Sequence, residues 1–168
     1  LEQGTNNKLA EPVTGKARYE AQVTHTAQDI PGYTLVTERN QAITIAIEDG
    51  TTAIKNVKTF YYTEQTVDIK YVAVTSEGGT LSSYQDNGVK VINGTVNGSA
   101  PTAKDGFRFV GWFKDEACTQ PVEEGWVKND KLTPEKTKDL GNDVKSYEAA
   151  TYYAKFEEAL TDLTIKKE

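Results

Sequence analysis

The chain has one histidine, His25, and one cysteine, Cys118, among 168 residues. A zinc site needs several imidazole or thiolate ligands converging on one point, so neither residue anchors one. Cys118 cannot form an internal disulfide and has no CxxC partner, which leaves a small core or loop residue set against a reactive thiol. Ser82 and Ser83 lack the GxSxG context of a hydrolase elbow. Asp115-Glu116 and Glu123-Glu124 are candidates for paired acids, but glycoside hydrolysis needs two carboxyls facing each other about 5 to 9 Å apart. Neighbours in sequence diverge, so solvated surface is the better reading of both pairs. Neither KND at 128–130 nor LGND at 140–143 offers the spaced acidic ladder of a calcium loop. The expectation is a non-enzymatic chain with no catalytic, cofactor-binding or metal-binding residue.

Across the chain, 25 acidic residues against 19 basic ones give a net charge of −6, with the basic residues scattered. An acidic chain without a basic stripe is a poor partner for nucleic acid or an anionic membrane surface. No apolar window of about 18 residues is present. The first residues, LEQGTNNKLAEP, show neither an initiator Met nor a signal-peptide pattern and read as a piece of something longer. Nine tyrosines, no methionine and many β-formers point to a mainly β protein, α+β at most.

Period-two alternation marks the strands. Ala17, Tyr19, Ala21 and Val23 alternate within 16–26, Ile43, Ile45 and Ile47 within 41–48, and 55–63 carries Val57, Thr59 and Tyr61 on one face. Asp49-Gly50 reads as a turn. Val67, Ile69, Tyr71 and Ala73 follow, then a turn at Glu77-Gly78-Gly79. The run 105–113 places Phe107, Phe109, Gly111 and Phe113 on one face and Arg108, Val110 and Trp112 on the other. Asn87-Gly88, Asn93-Gly94 and Asn97-Gly98 favour type I′ turns. Asn93-Gly94-Thr95 and Asn97-Gly98-Ser99 also fit the glycosylation sequon, with turns the alternative. Pro134-Glu135-Lys136 reads as a helical turn.

Two stretches repeat in order. IPGYTLV at 30–36 matches DGFRFVGW at 105–112, and TFYYT at 59–63 returns as TYYAKF at 151–156. Gly32 and Gly106 permit a sharp turn into a strand, the next aromatic fills a core, and the later strand closes on an existing edge. Two small tandem modules with little helix follow, 1–63 and 67–157, joined at 63–67. Gly32, Tyr33, Tyr61, Gly106, Phe107, Phe109, Trp112, Tyr152 and Tyr153 are their expected structural residues. Trp126 stands alone in the polar stretch 119–150, either as a core anchor or as an exposed platform for a sugar ring.

These motifs carry a resemblance. KLAEPVTGK, AQDIPGYTLV, QAITIAI and VKTFYYT within 8–63 resemble the mucin-binding-protein (MucBP) repeat of Gram-positive surface proteins. VDIKYVAVTSEGGTLSS, GFRFVGWFKDEACTQPV and TYYAKF within 67–157 look like the Listeria/Bacteroides repeat of the internalin B-repeat type, with 119–150 as an insertion. DLTIKKE at 162–168 is similar to the first strand of a Cna B-type domain, so 158–168 would be a linker into one. The resemblance implies β-grasp-like modules in the stalk of a cell-wall-anchored, extracellular adhesin. It implies monomers that contact neighbouring repeats or Cna B-like domains, with host glycoprotein or mucin glycans as a binding alternative; a carbohydrate-active enzyme fragment, which would need a deep pocket with two facing carboxylates, is a remote alternative outside the resemblance. It also implies that the first module lacks its opening strand, leaving an edge open to pairing.

Overall fold

The computed structural model describes residues 1–47 and 56–161. The expected Asp49-Gly50 turn, the end of the 41–48 strand, the start of the 55–63 strand and the 162–168 segment lie outside them. The chain is mainly β: fourteen strands are described, and the helical content among described residues is one 3-10 turn, Glu124–Trp126. Pro134-Glu135-Lys136 forms no helical turn, and Pro134 is fully buried. Two compact units result, Leu1–Gln65 and Thr66–Glu168.

In the first unit, β1 (Gln22–Thr26) pairs antiparallel with β3 (Asn40–Thr44), and β2 (Tyr33–Leu35) pairs antiparallel with β4 (Tyr62–Glu64). All four are shorter than their alternation suggests. The 16–26 run becomes a strand only from Gln22, since Glu20 takes a left-handed φ of 62° and Tyr19 is exposed. Beyond β3, Asn56 replaces a neighbouring strand: its carboxamide accepts the Ala46 N–H and donates to the Ala46 carbonyl, both at 2.8 Å. Tyr62 is the buried tyrosine of 59–63, its hydroxyl donating to the Gln28 carbonyl, while the expected Tyr61 is half-buried. Beside β4, Glu2 forms a parallel bridge with Tyr62.

The second unit is built on a four-stranded sheet of order β7-β5-β14-β9, comprising β5 (Thr66–Ala73), β7 (Gln85–Lys90), β9 (Phe107–Phe113) and β14 (Ala150–Glu158). β14 runs parallel to β5 and antiparallel to β9, so the 151–156 strand is central rather than a closing edge. β6 (Gly79–Leu81) pairs with β8 (Pro101–Ala103). Two short hairpins complete the unit, β10 (Val127–Lys128) with β11 (Lys131–Leu132) and β12 (Lys138–Asp139) with β13 (Lys145–Ser146).

Ile69 and Tyr71 of β5, Tyr152, Ala154 and Phe156 of β14 and Trp112 of β9 cluster with Leu81, Trp126 and Leu132 in one buried core. The stretch 119–150 is therefore no surface decoration. It supplies Trp126, Leu132, Pro134 and Ser146 to the buried set, with Val122, Val127 and Tyr147 packed around the cluster.

A one-residue bulge changes the face pattern of β9. Lys155 stands opposite Gly111 but Phe156 stands opposite Phe109, so Val110 is the extra residue. Phe109 and Trp112 consequently meet, ring centroids 6.1 Å apart, although strict alternation puts them on opposite faces. A second bulge lies in β7, where Gly88, at φ 60°, donates its N–H to Asp68. Asn87, Asn93 and Asn97 are absent from the left-handed residues. The two-residue turn with both φ positive forms at Asn129-Asp130, inside KND, and Asn142-Asp143, inside LGND, repeats that pair of angles.

The sequence repeat has a structural counterpart. Ile30 and Lys104 accept the N–H of Tyr33 and Phe107, both at 3.0 Å, across turns whose third residues, Gly32 and Gly106, have φ of 81° and 82°. The positive φ of that third place favours glycine. The two glycine carbonyls then accept the N–H of Gln65 and Ala159 at 2.9 and 2.8 Å. Pairing aligns Tyr62 with Leu35 as it aligns Phe156 with Phe109, so FYY at 60–62 corresponds to AKF at 154–156 rather than to TYY.

Candidate functional site

Trp126 sits at the end of the 3-10 turn, 7% exposed. Tyr152 meets it edge-on at 6.0 Å, and the Lys114 ammonium lies 5.7 Å from its ring centre. Lys114 is held there by an ion pair with Glu123, whose carboxyl is lowered by that hydrogen bond. With one side in the core and a cation over the ring, Trp126 offers no open platform to a sugar. This corrects the exposed-platform reading, and the reason is that the sheet needs a large side chain to cover Tyr152, whose hydroxyl burial pushes up to about 12.

Of the expected structural aromatics, Trp112 and Tyr152 are buried, whereas Tyr33, Phe107, Phe109 and Tyr153 are half-buried. Trp112 also donates from Nε1 to the Asp130 carbonyl at 2.8 Å, tying β9 to the β10–β11 turn.

Of the two acid pairs, only Asp115 is occupied by its own loop. Asp115 accepts from the Thr119 N–H and hydroxyl and from the Gln120 N–H, and the Thr119 bond leads the contributions that lower its carboxyl. Cys118, within that loop, is half-buried at φ 55°, and burial pushes its thiol up, away from the thiolate that a nucleophile requires. Glu116 and Glu124 are exposed. Ser82 accepts the Ala100 N–H, and Ser83 bonds to Gln85. His25 is exposed on β1, opposite Gln41. Among the described residues, no group of three or more His, Cys, Asp and Glu side chains could hold a metal ion.

Sequence reasoning passed over Asp86. It is buried and accepts from the Tyr71 hydroxyl at 2.8 Å, the Gly98 N–H at 3.0 Å, the Asn97 N–H at 3.1 Å and the Asn97 side chain at 3.0 Å. Burial alone would raise its carboxyl, but the Gly98, Tyr71 and Asn97 bonds outweigh that and hold it below the usual aspartate value. Burial and the bond to Asp86 raise the Tyr71 hydroxyl in turn. The second sequon is thereby used internally, since Asn97 serves Asp86 and Ser99 is fully buried. The signal was present in the Asp-Asn-Gly run at 86–88, but it pointed to a turn rather than to a buried acceptor.

On the sheet face opposite Tyr152, Tyr153 lies between Val72 of β5 and Phe113 of β9. Val72 is 37% exposed, so this row meets solvent. A depression of about 550 Å³, lined by Thr66, Val67, Asp68, Lys70 and 149–151, and another of about 690 Å³ along Arg108, Glu157 and Glu158 are open surface hollows. No helix among the described residues is long and apolar enough to cross a membrane. The chain matches no family model, no curated protein and no solved structure.

Proposed function

We propose that this chain is a non-enzymatic pair of tandem repeats from the extracellular stalk of a Gram-positive surface adhesin, MucBP-like and then Listeria/Bacteroides-repeat-like. The observation that carries the reading is the burial of Trp126, which turns the strongest ligand candidate into core. The repeated turn, strand and closing bond in both units support modularity. One residue, Gln65, separates β4 from β5, and its backbone N–H and side-chain amide are both bonded within the first unit. The β-grasp-like reading of the second unit rests on its mixed sheet with the first and last strands parallel at the centre. Neighbouring repeats or Cna B-like domains are its partners in the parent protein.

The test is a glycan and mucin array probed with the 168-residue chain. A stalk gives no saturable binding. A dose-dependent hit that Tyr153→Ala abolishes would favour the second reading, in which the Val72–Tyr153–Phe113 row contacts host glycoprotein glycans.

A further inference from the structure

We propose that the second unit is a force-bearing clamp, in which tension along the chain is resisted by shear between β5 and β14. The inference deepens the stalk reading, because a stalk that holds an adhesive tip must carry load along its length.

Tension enters the unit at Thr66, the first residue of β5, and leaves at Glu158, the last of β14. The two strands are parallel neighbours, aligned from Ile69 and Ala150 to Ala73 and Ala154. The start of one and the end of the other therefore lie at opposite ends of the pair. Pulling them apart slides the strands past each other along their length, so the evenly spaced bonds of a parallel ladder are loaded together rather than in turn. The Val74 N–H, which donates to Ala154 at 3.0 Å, lengthens that ladder.

The flanks reinforce it. The pair is central, with β7 outside β5 and β9 outside β14. The Tyr71 and Tyr152 rings stack across the shear line at 6.4 Å within the buried core, where water cannot replace breaking bonds. Tyr71 is further pinned to β7 through Asp86. The first unit has the same arrangement in miniature: Glu2 is bridged parallel to Tyr62, and β4 pairs antiparallel with β2. Among the described residues only 1–3 are bonded along β4, through Leu1 to Phe60 and Leu1 and Gln3 to Tyr62, a shorter ladder than that of β5 and β14, so the first unit yields first.

Single-molecule pulling on the whole chain, held at its two ends, tests the clamp. Releasing the 93 residues from Thr66 to Glu158 lengthens the tether by about 30 nm, which identifies the second unit's event. The same chain carrying Cys118→Ser, with attachment cysteines at Lys104→Cys and Leu160→Cys, is then pulled from the end where Phe107 faces Glu158. That geometry unzips β9 from β14 one bond at a time. Forced unfolding reads the barrier along the pulled direction, so the terminal pull should need roughly twice the unzipping force or more.

Leu81→Ala, in the core but off the clamp, should lower the melting temperature while keeping most of the terminal rupture force. Equal forces in the two geometries, or a force that falls with melting temperature in Leu81→Ala, would overturn the clamp and leave the stalk reading intact. A strong shear force in a chain that binds mucin glycans would sink the stalk reading and leave the clamp standing.

Discussion

The two units share one local design and differ in what stands behind it. Each has a turn closed over a left-handed glycine, a strand leaving that turn, and a final strand whose following N–H returns to the glycine carbonyl. In the first unit, only Tyr62 and Ala27 are buried apolar residues among those described, and Tyr19, Val36, Ile47 and Val57 are exposed. In the second, the corresponding strand pair lies against a nine-residue core. The difference teaches that the repeat encodes hairpin geometry, which is local. Burial depends on segments outside the repeat, chiefly 119–150, because isolated two-stranded ribbons are marginal without a covering layer.

The sharpest way to break that comparison is to truncate the matched aromatics. Phe156→Ala empties a site that is 3% exposed, with Phe109 at 5.7 Å, and should cost about 3–5 kcal/mol. Tyr62→Ala, at the equivalent place, should cost about 2 kcal/mol because little packs around it. Both tryptophans, Trp112 and Trp126, belong to the second unit, so their fluorescence in a denaturant titration follows that unit alone. Hydrogen exchange follows the first. Equal losses would mean that the units are equally well packed, contrary to their burial.

Glycines supply the next effect. A Cβ at Gly79 would lie 2.3 Å from the Phe156 ring, whereas one at Gly106 meets nothing within 4 Å. Gly79→Ala must push a buried ring aside, at about 3 kcal/mol. Gly106→Ala bears only the cost of a left-handed backbone, about 1–2 kcal/mol, and Gly32→Ala should match it through the same φ. Thermal melts of the three variants separate the causes. A Gly32→Ala loss unlike that of Gly106→Ala would show that the two turns are not equivalent.

How much of this was legible in the sequence follows from the range of each interaction. The alternation of Ile69, Tyr71 and Ala73 and the turns at Gly32 and Gly106 are local, and the structure keeps them. The β9 face pattern failed at Val110 because a bulge reads as ordinary alternation until its partner strand is known. Trp126 was legible as a large anchor but not its burial, and Leu132 was hidden because a two-residue strand carries no period. The Asn-Gly pairs misled for a similar reason: Gly88 and Gly98 take positive φ, but one sits in a bulge and the other beside Asp86. Asp86 itself shows no pattern, since its four donors come from β5 and from Asn97 and Gly98.

That carboxylate gives the second unit an acid sensitivity. Its folded pKa lies below the ordinary value of 3.8, so its stabilisation is complete above that value and is lost as pH falls through the folded one. Melting temperature followed from pH 5 downward should drop for the second unit below about pH 4. Asp86→Asn, which keeps the shape without the charge, should be less stable at neutral pH by about 2 kcal/mol and show a shallower acid slope. Identical slopes would assign the acid response to other carboxylates.

The smallest effect tests the likeness itself. Gln65 and Ala159 occupy the same place, and their N–H groups make the same bond to Gly32 and Gly106. Gln65 adds two long side-chain bonds, to the Tyr33 carbonyl and the Thr34 hydroxyl, each 3.4 Å and exposed. Exposed bonds of that length contribute little, so Gln65→Ala, which copies the second unit's residue, should shift the first unit by less than about 0.5 kcal/mol. Hydrogen exchange at the Gln65 amide is the matching readout: it should stay protected, because the glycine carbonyl still accepts it. A loss well beyond that figure would mean that the joint residue, rather than the repeated turn, holds β2 to β4, and the correspondence between the units would then end at the turn.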